Sequence, residues 1–174
     1  MRRLAPALCL LLAGCGFHPL YAVPGERHGE MQAYLSAIYV EPMPDRLGYE
    51  LRNQLIDLLD ARGESAGAAY RLRVTLAEKK LPTGVQSQPA PGGITQTAIT
   101  RYNDTFTVDY ELIDLKTNTS LTHGTESGLS AYNVLTSPYA TLAAQQDADK
   151  RVADDIADRV RLDLAVYFAG QAKK

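Results

Sequence analysis

The chain has 174 residues, of which 45 % are hydrophobic, and it carries 18 lysine and arginine residues against 20 aspartate and glutamate residues. Its formal net charge of −2 argues against general nucleic-acid binding, which requires a basic domain. The length and the ordinary hydrophobic content predict one globular domain with a single core. An anionic ligand would therefore have to meet a local basic patch.

The N-terminus begins with a basic pair, Arg2 and Arg3, and continues with an apolar run from Leu4 to Ala13. This layout is typical of a secretory signal peptide. The run is too short to span a bilayer, which needs roughly 20 apolar residues. A buried N-terminal helix is the alternative, but it leaves the abrupt end of the run at residues 14–16 unexplained. We therefore expect residues 1–14 to be a cleaved signal peptide.

The sequence Leu12-Ala13-Gly14-Cys15 resembles the bacterial lipobox. The resemblance implies that Cys15 receives a diacylglycerol on its sulfur, that the chain is cut before it, and that the new amine is acylated, with palmitate-type chains. Two or three acyl chains make membrane attachment effectively stable, whereas one chain anchors only marginally. The mature protein is thus expected to be anchored to a membrane without spanning it.

Two neighbouring residues refine this expectation. Cys9 lies in the segment to be removed, so no thiol would remain for a disulfide, a metal or nucleophilic catalysis. Gly16 stands where many Gram-negative lipoproteins carry an aspartate that resembles an inner-membrane retention signal. The glycine therefore favours the outer membrane, with the body of the protein in the periplasm.

The first part of the mature chain predicts a linker, a strand and a helix. Residues 22–34 mix proline, glycine and charge without a period, so we expect residues 15–34 to form a lipidated N-terminus and linker. Ser36–Glu41 is rich in β-branched and aromatic residues and predicts a short strand. From Asp45, as N-cap, leucines recur at helical spacing up to Gly63 and predict an amphipathic helix that packs on the core.

The middle of the chain predicts three strands. Apolar and polar residues alternate from Tyr70 to Lys80 and again from Gln96 to Asp114, which indicates strands with one apolar and one polar face. Leu81–Ile94 is dense in proline and glycine and predicts an exposed, mobile loop. Asp114–Ser120 predicts a tight turn, and Leu121–Asn133 predicts a third strand with a bulge or bend at its two glycines, Gly124 and Gly128.

The last predicted element is a helix of about 30 residues that is capped by Ser137 and Pro138 and ends near Gly170. The acidic run within it is interpreted as a solvated helix face. The order of elements predicts an α+β fold: a two-layer sandwich of a mixed sheet of about four strands with two helices on one face. We expect residues 35–170 to form this domain and residues 171–174 to form a tail.

The sequence carries no recognisable catalytic or metal-binding constellation. Its three histidines, His18, His28 and His123, are scattered, and none lies beside a second ligand at metal-binding spacing. No nucleophile elbow, phosphate-binding loop or dinucleotide fingerprint is present. We therefore expect a protein that is not an enzyme and that uses no cofactor and no metal.

Five segments together resemble one family, the lipopolysaccharide-assembly lipoproteins, LptE. They are "CGFHPLY" after the lipobox, "LRNQLIDLL", "AYRLRVTL", "YELIDLKTNTSLTHGTESGLSAYNVLTSPYAT" and "DLAVYF". The resemblance implies an outer-membrane lipoprotein without catalytic activity. It also implies a plug inside the β-barrel translocon LptD that helps the barrel to assemble and takes part in placing lipopolysaccharide on the cell surface.

Lipopolysaccharide carries phosphates and acidic sugars, which require cationic donors. If the strands Tyr70–Lys80 and Gln96–Asp114 pair as a hairpin, the polar face of the sheet gathers a basic patch. Its members are Arg71, Arg73, Lys79, Lys80 and Arg101. The alternative is that these residues only solubilise the sheet opposite Asp109 and Glu111, since exposed cross-strand ion pairs are common. Both interpretations stay open at this point.

A second class of function is also compatible with the sequence. A periplasmic lipoprotein could bind lipid in an apolar groove, or could serve as an auxiliary subunit of another envelope transporter. The membrane protein that co-purifies with the lipidated chain distinguishes the two classes. An outer-membrane barrel partner favours the first class, whereas an inner-membrane ABC transporter favours the second.

The lipobox generates the first testable prediction. The intact mass of the mature protein extracted from membranes should equal the chain from Cys15 plus its acyl groups. Cys15→Ala should leave an uncleaved or soluble precursor, because the sulfur that accepts the diacylglycerol is missing. A mature mass without any acyl addition would contradict the prediction.

Overall fold

The structure is a computed structural model that describes residues 25–61 and 66–171. These ranges hold three helices and four strands. In chain order they are α1 (Gly25–Ser36), β1 (Ile38–Val40), α2 (Asp45–Leu59), β2 (Tyr70–Ala90), β3 (Ile94–Asp114), β4 (Thr119–Asn133) and α3 (Pro138–Gln171). Among the described residues, no helix is both long and apolar enough to cross a membrane.

The four strands form one sheet in the order β1-β2-β3-β4. The short β1 runs parallel to β2, whereas β2, β3 and β4 are antiparallel neighbours. The predicted α+β class with a mixed four-stranded sheet is therefore confirmed. The helix count differs, because the described chain has α1 in addition to the two helices that the periodicity indicated.

One face of the sheet and the three helices share a single hydrophobic core. The even-numbered residues of β3 from Phe106 to Leu112 are buried, as are Leu51, Leu55 and Leu59 of α2. On α3, every fourth residue from Val152 to Phe168 is buried against them. Alternate residues of the strands and about every fourth residue of the helices therefore pack together in one core, and the other face of the sheet is polar.

The expectation of a linker over residues 22–34 is wrong from Gly25 onward, where α1 begins; residues 22–24 lie outside the described residues. Leu35, near the end of α1, is only 1 % exposed. The ring of Tyr34 stacks on that of Phe168 with centroids 5.2 Å apart. Met31 also packs against the core, so the second half of α1 is held by apolar contacts.

The predicted loop Leu81–Ile94 is also wrong, because β2 continues to Ala90 and only three residues separate it from β3. Register continues to the pair Ala90–Ile94, with an irregularity on either side of Gly84. Beyond Leu72, β2 has β3 as its one neighbour in the described sheet. Prolines are tolerated on such an edge strand because no second neighbour needs their missing N–H groups.

The two glycines of β4 do not form a bulge. Pairing with β3 is regular from His123 to Asn133, and the irregularity lies instead beside Ile113. A Cβ on Gly128 would lie 2.3 Å from Cγ2 of Val152, and one on Gly124 would lie 2.4 Å from the Tyr110 hydroxyl. These glycines therefore let α3 and the Tyr110 side chain approach the strand closely.

Candidate functional site

Arg71 and Arg73 lie on the polar face of the sheet, as predicted, but acidic side chains already neutralise them. Arg71 Nε is 3.3 Å from Glu41, the residue that follows β1. Arg73 contacts the same carboxylate at 3.5 Å and reaches Glu111 on β3 at 3.3 Å. These two arginines belong to a network of ion pairs around Glu41 and offer little uncompensated charge to an anionic ligand.

Lys79 and Arg101 are the two candidate cations without an acidic partner in the part of the chain that the structure describes. Lys79 lies opposite Thr105, and Arg101 lies opposite Gly84 and Asn133. The Arg101 guanidinium donates to the side-chain oxygen of Asn133 at 3.0 Å. Thr105 and Arg101 are four residues apart on β3, so the two cations are separated by about 13 Å along the sheet.

Lys80 does not share the polar face with the other four candidates, so this part of the prediction is wrong. Successive side chains of a strand point to opposite faces, and Lys80 therefore lies on the face that the helices cover. Its ammonium nitrogen is 3.4 Å from Oδ2 of Asp104. The same nitrogen lies 5.8 Å and 5.6 Å from the ring centroids of Tyr102 and Tyr132.

Asp104 is fully buried in the apolar phase of β3. Burial raises the pKa of its carboxyl, and the charge of Lys80 opposes this rise. Nearby, the buried carboxylate of Asp149 on α3 binds Arg46 of α2 at 2.7 Å. Burial likewise raises the pKa of Asp149, and Arg46 opposes it. The core therefore ends in two cation–carboxylate pairs on the side toward the β2–β3 hairpin.

The sequence contains a signal for this buried pair that the patch hypothesis overlooked. The even-numbered residues of β3 are mostly apolar, but Asp104 stands between Tyr102 and Phe106 in this series. Lys80 occupies the same phase in β2 and is register partner to Asp104. A charge in the apolar phase of one strand calls for an opposite charge in the same phase of its neighbour.

The outer part of the β2–β3 hairpin, Leu81–Thr100, contains no charged residue, and we call it the uncharged hairpin. Its strands reach beyond β4, whose pairing with β3 stops at Arg101. Apolar side chains are exposed along it, with Val85 62 % and Ile94 69 % accessible. The hairpin therefore presents hydroxyl, amide and apolar groups to its surroundings and no charge.

The sequence of this chain matches a known protein family over most of its length. The family model LptE, lipopolysaccharide-assembly, matches residues 35–164, which is most of the chain. The chain belongs to the LptE family. The match runs from the end of α1 through the whole sheet and most of α3, so it includes all five candidate cations and the uncharged hairpin.

The chain is also similar to individual proteins. A candidate lipoprotein from Caulobacter crescentus CB15, known from a crystal structure, is 30 % identical in sequence to this chain. The structural match covers 82 % of this chain and 98 % of that chain, with a TM-score of 0.64. An uncharacterized Rickettsia prowazekii protein, RP188, is 26 % identical over 92 % of this chain and 93 % of its own length. Rare lipoprotein B from Shewanella oneidensis shares the fold at 13 % identity, with a TM-score of 0.51 over 78 % of this chain and 96 % of that chain.

The remaining contacts of the described residues concern metal ligands and the packing of β3 on α3. Within residues 25–61 and 66–171, no three histidine, cysteine or acidic side chains are placed to hold a metal ion. The Tyr110 hydroxyl donates to Asp163 at 2.7 Å, and this contact ties β3 to α3. What the described residues provide is a polar sheet face, a buried charge pair and an uncharged hairpin.

The buried pair generates the second prediction. Lys80→Met removes the cationic partner of Asp104, so the free energy of unfolding at pH 7 should fall by about 1–3 kcal/mol. Without Lys80 the pKa of Asp104 rises further above its value in the unfolded chain, so the folded variant binds a proton more readily. Its stability deficit should therefore shrink as the pH falls from 7 toward the ordinary carboxyl pKa of 3.8.

Urea unfolding at pH 7 and pH 4 measures both effects. Lys79→Met is the matched control, because the neighbouring lysine lies on the polar face and has no carboxylate partner within the described ranges. It should change the free energy of unfolding by less than about 0.5 kcal/mol. A deficit for Lys80→Met that is the same at both pH values would show that Asp104 is not the group left unpaired.

Proposed function

We propose that this protein is an outer-membrane lipoprotein, anchored through acyl chains on Cys15, that plugs the LptD β-barrel translocon and assists its assembly. In this role it takes part in the transport of lipopolysaccharide to the cell surface and catalyses no reaction. The observation that carries the proposal is membership of the LptE family over residues 35–164. The lipobox resemblance at Cys15 supplies the anchor.

The surface of the folded body supports a role inside a water-accessible barrel. All of the described helices contribute to the core on one side of the sheet, so the opposite side is left to polar residues. The interior of an outer-membrane barrel is polar, and a plug must present groups that hydrogen-bond there. Thr105, Thr107, Asp109 and Glu111 of β3 provide such groups in one row.

The alternative function, lipid binding or support of another transporter, expects an apolar groove of useful size. Two cavities in the described part of the structure have volumes of about 200 and 250 Å³. Both fall below the roughly 300 Å³ at which pockets for drug-sized ligands begin. This observation gives the lipid-binding alternative no specific support.

The contact with lipopolysaccharide is proposed for a smaller set of residues than the original patch. Arg71 and Arg73 are neutralised around Glu41, and Lys80 pairs with Asp104 on the other face. Lys79 and Arg101 keep uncompensated charge on the polar face, at the base of the uncharged hairpin. We therefore assign phosphate recognition to Lys79 and Arg101.

The third prediction tests the proposed function itself. The full-length lipoprotein, expressed with the LptD barrel of the same bacterium, should be isolated from the outer membrane as a stoichiometric complex. Isolation is by a tag on the lipoprotein, and the partner is identified by mass spectrometry. Recovery with an inner-membrane ABC transporter, and without the barrel, would favour the alternative function.

The fourth prediction concerns lipopolysaccharide. Lys79→Glu combined with Arg101→Glu should weaken binding of purified lipopolysaccharide roughly tenfold, which corresponds to about 1.4 kcal/mol, because two phosphate donors become repulsive. The measurement is direct binding to the purified protein at low and physiological salt, since exposed charges are screened as the ionic strength rises. The thermal transition should stay nearly unchanged.

The matched control changes the net charge by the same amount elsewhere. Lys116→Glu combined with Lys150→Glu replaces one lysine in the β3–β4 turn and one on α3. If both double variants weaken binding equally, the effect is one of overall charge. In that case Lys79 and Arg101 have no special role.

A further inference from the structure

The sequence holds a second stretch without charge that matches the uncharged hairpin in length. No charged residue occurs from Ser127 to Gln146, which covers the end of β4 and the start of α3. The two stretches together contain forty residues, which would carry about nine charges at the chain's overall content of 22 %. Residues 81–100 and residues 127–146 therefore contain far fewer charged residues than the rest of the chain.

The fold brings these two segments together. The pairing of β4 with β3 ends at Asn133 and Arg101, and the next amide, that of Val134, donates to the carbonyl oxygen of Thr100 at 2.9 Å. The end of β4 thus adjoins the base of the uncharged hairpin. Eight of the thirteen large apolar side chains that are exposed in the described residues lie in the two segments, including Leu129, which is 65 % exposed.

The sheet has open edges along β2 beyond Leu72, along β4, and along β3 from Ile94 to Ile99, and parts of these edges are protected against further strand pairing. On β2 the open edge carries Lys79, Lys80, Pro82 and Pro89, and it is irregular around Gly84. Lysine, proline and bulges are the devices with which natural sheets protect an edge. On β4, Arg159 reaches from α3 and donates to the carbonyl oxygen of Ser127 at 2.9 Å.

The last part of the β4 edge, Leu129–Asn133, lacks these devices. Main-chain groups of a strand alternate between its two sides, and the amide of Val134 points toward β3. The odd-numbered residues therefore direct their N–H and C=O groups outward, in agreement with the contact between Arg159 and Ser127. Within the described ranges, no strand pairs with the outward main-chain donors and acceptors of Leu129, Ala131 and Asn133.

A groove of about 200 Å³ runs beside this edge, between β4 and α3. Ala148 and Val152 of α3 form its apolar wall, and Ser130, only 3 % exposed, forms part of the β4 side. The hydroxyl of Ser130 has no hydrogen-bond partner among the described residues. The groove therefore has room for one or two side chains and contains an unused polar group.

The rim of the groove is electrically neutral. Its two charged residues, Arg151 and Asp155, each have a partner within α3, namely Asp147 and Arg159. A charged partner segment would find no opposite charge here and would lose its own hydration. The open edge and the neutral groove therefore suit an extended, uncharged stretch of polypeptide.

We propose that the open edge of β4 from Leu129 to Asn133, with the groove beside it, binds an extended and uncharged segment of the barrel protein as an additional strand. A strand is favoured because only another backbone satisfies alternate outward N–H and C=O groups. A closed barrel has no free strand edge, so the segment belongs to a loop or terminal region of that protein. This inference rests on the proposed function and names the surface through which it operates.

The test uses the full-length lipoprotein in complex with its barrel. Hydrogen–deuterium exchange, read at single-residue resolution by fragmentation mass spectrometry, compares the free and the complexed chain. We expect the amides of Leu129, Ala131 and Asn133 to exchange at least tenfold more slowly in the complex. The amides of Ser130 and Tyr132 already pair with β3, so their exchange should change much less.

Variants provide a second measurement. Leu129→Lys places a charge on the edge and should reduce recovery of the complex at least fivefold. Leu162→Lys is the matched control, because Leu162 is a similarly exposed leucine on α3, at 59 %. Ala131→Pro removes an outward N–H and should also reduce recovery, whereas Ala131→Ser keeps that group and should not. Thermal unfolding of each free variant shows whether it has folded.

The outcomes separate this inference from the proposed function. If the complex forms but the three amides exchange as in the free chain, or if Leu129→Lys assembles as well as Leu162→Lys, the strand-addition site is overturned and the proposed function stands. If the wild-type chain forms no complex with the barrel, the proposed function is overturned, and so is the proposal that a segment of the barrel binds the β4 edge. Protection in the free chain that grows with its concentration would instead assign the edge to a second copy.

Discussion

The structure depends on one constraint, namely that β3 buries every second side chain for half of its length. From Phe106 to Leu112 the even positions contact the helices, and the odd positions stay on the polar face. Because the period of a strand is two, a shift of one residue would exchange the two faces completely. The register of β2 and β4 places their apolar residues on the same face as those of β3. The buried leucines of α2 and the buried residues of α3 pack against that face.

β3 continues to alternate between its two faces beyond the apolar core, but the residues that face the helices there are polar or charged. Asp104 occupies the next buried position after Phe106, and the half-exposed Tyr102 follows it. Lys80 is drawn to the same face, since a buried carboxylate without a cation would be strongly destabilising. The ion pair therefore marks the boundary between the helix-covered part of the sheet and the uncharged hairpin.

The sequence allowed the mixed sheet and the two long helices to be predicted, because each rests on a local period; the anchor at Cys15 stays a prediction. α1 has no clear helical period in the sequence, because its core contacts come from few residues, Met31 and Leu35, and Tyr34 stacks on Phe168, which is far along the chain. Proline and glycine in the hairpin predict a loop because they favour turns, yet an edge strand with one neighbour tolerates both. The sequence places Lys80 and Asp104 in the apolar phases of neighbouring strands, but the register that sets them opposite each other depends on the whole sheet.

The distribution of charge connects fold and proposed function. Acidic and basic residues of α3 pair with one another within its own turns, as Lys150 does with Asp154, and this keeps the helix layer soluble without creating a strong local field. The uncharged hairpin and the Leu129–Asn133 edge contain no charged residue, and they carry five of the thirteen large apolar side chains that are exposed in the described residues. An isolated soluble protein gains nothing from an unprotected edge that adjoins apolar groups, because that combination favours aggregation. Under the proposed function, in which a lipid holds the chain at a membrane and a barrel covers it, this cost is avoided and the same edge would serve for binding.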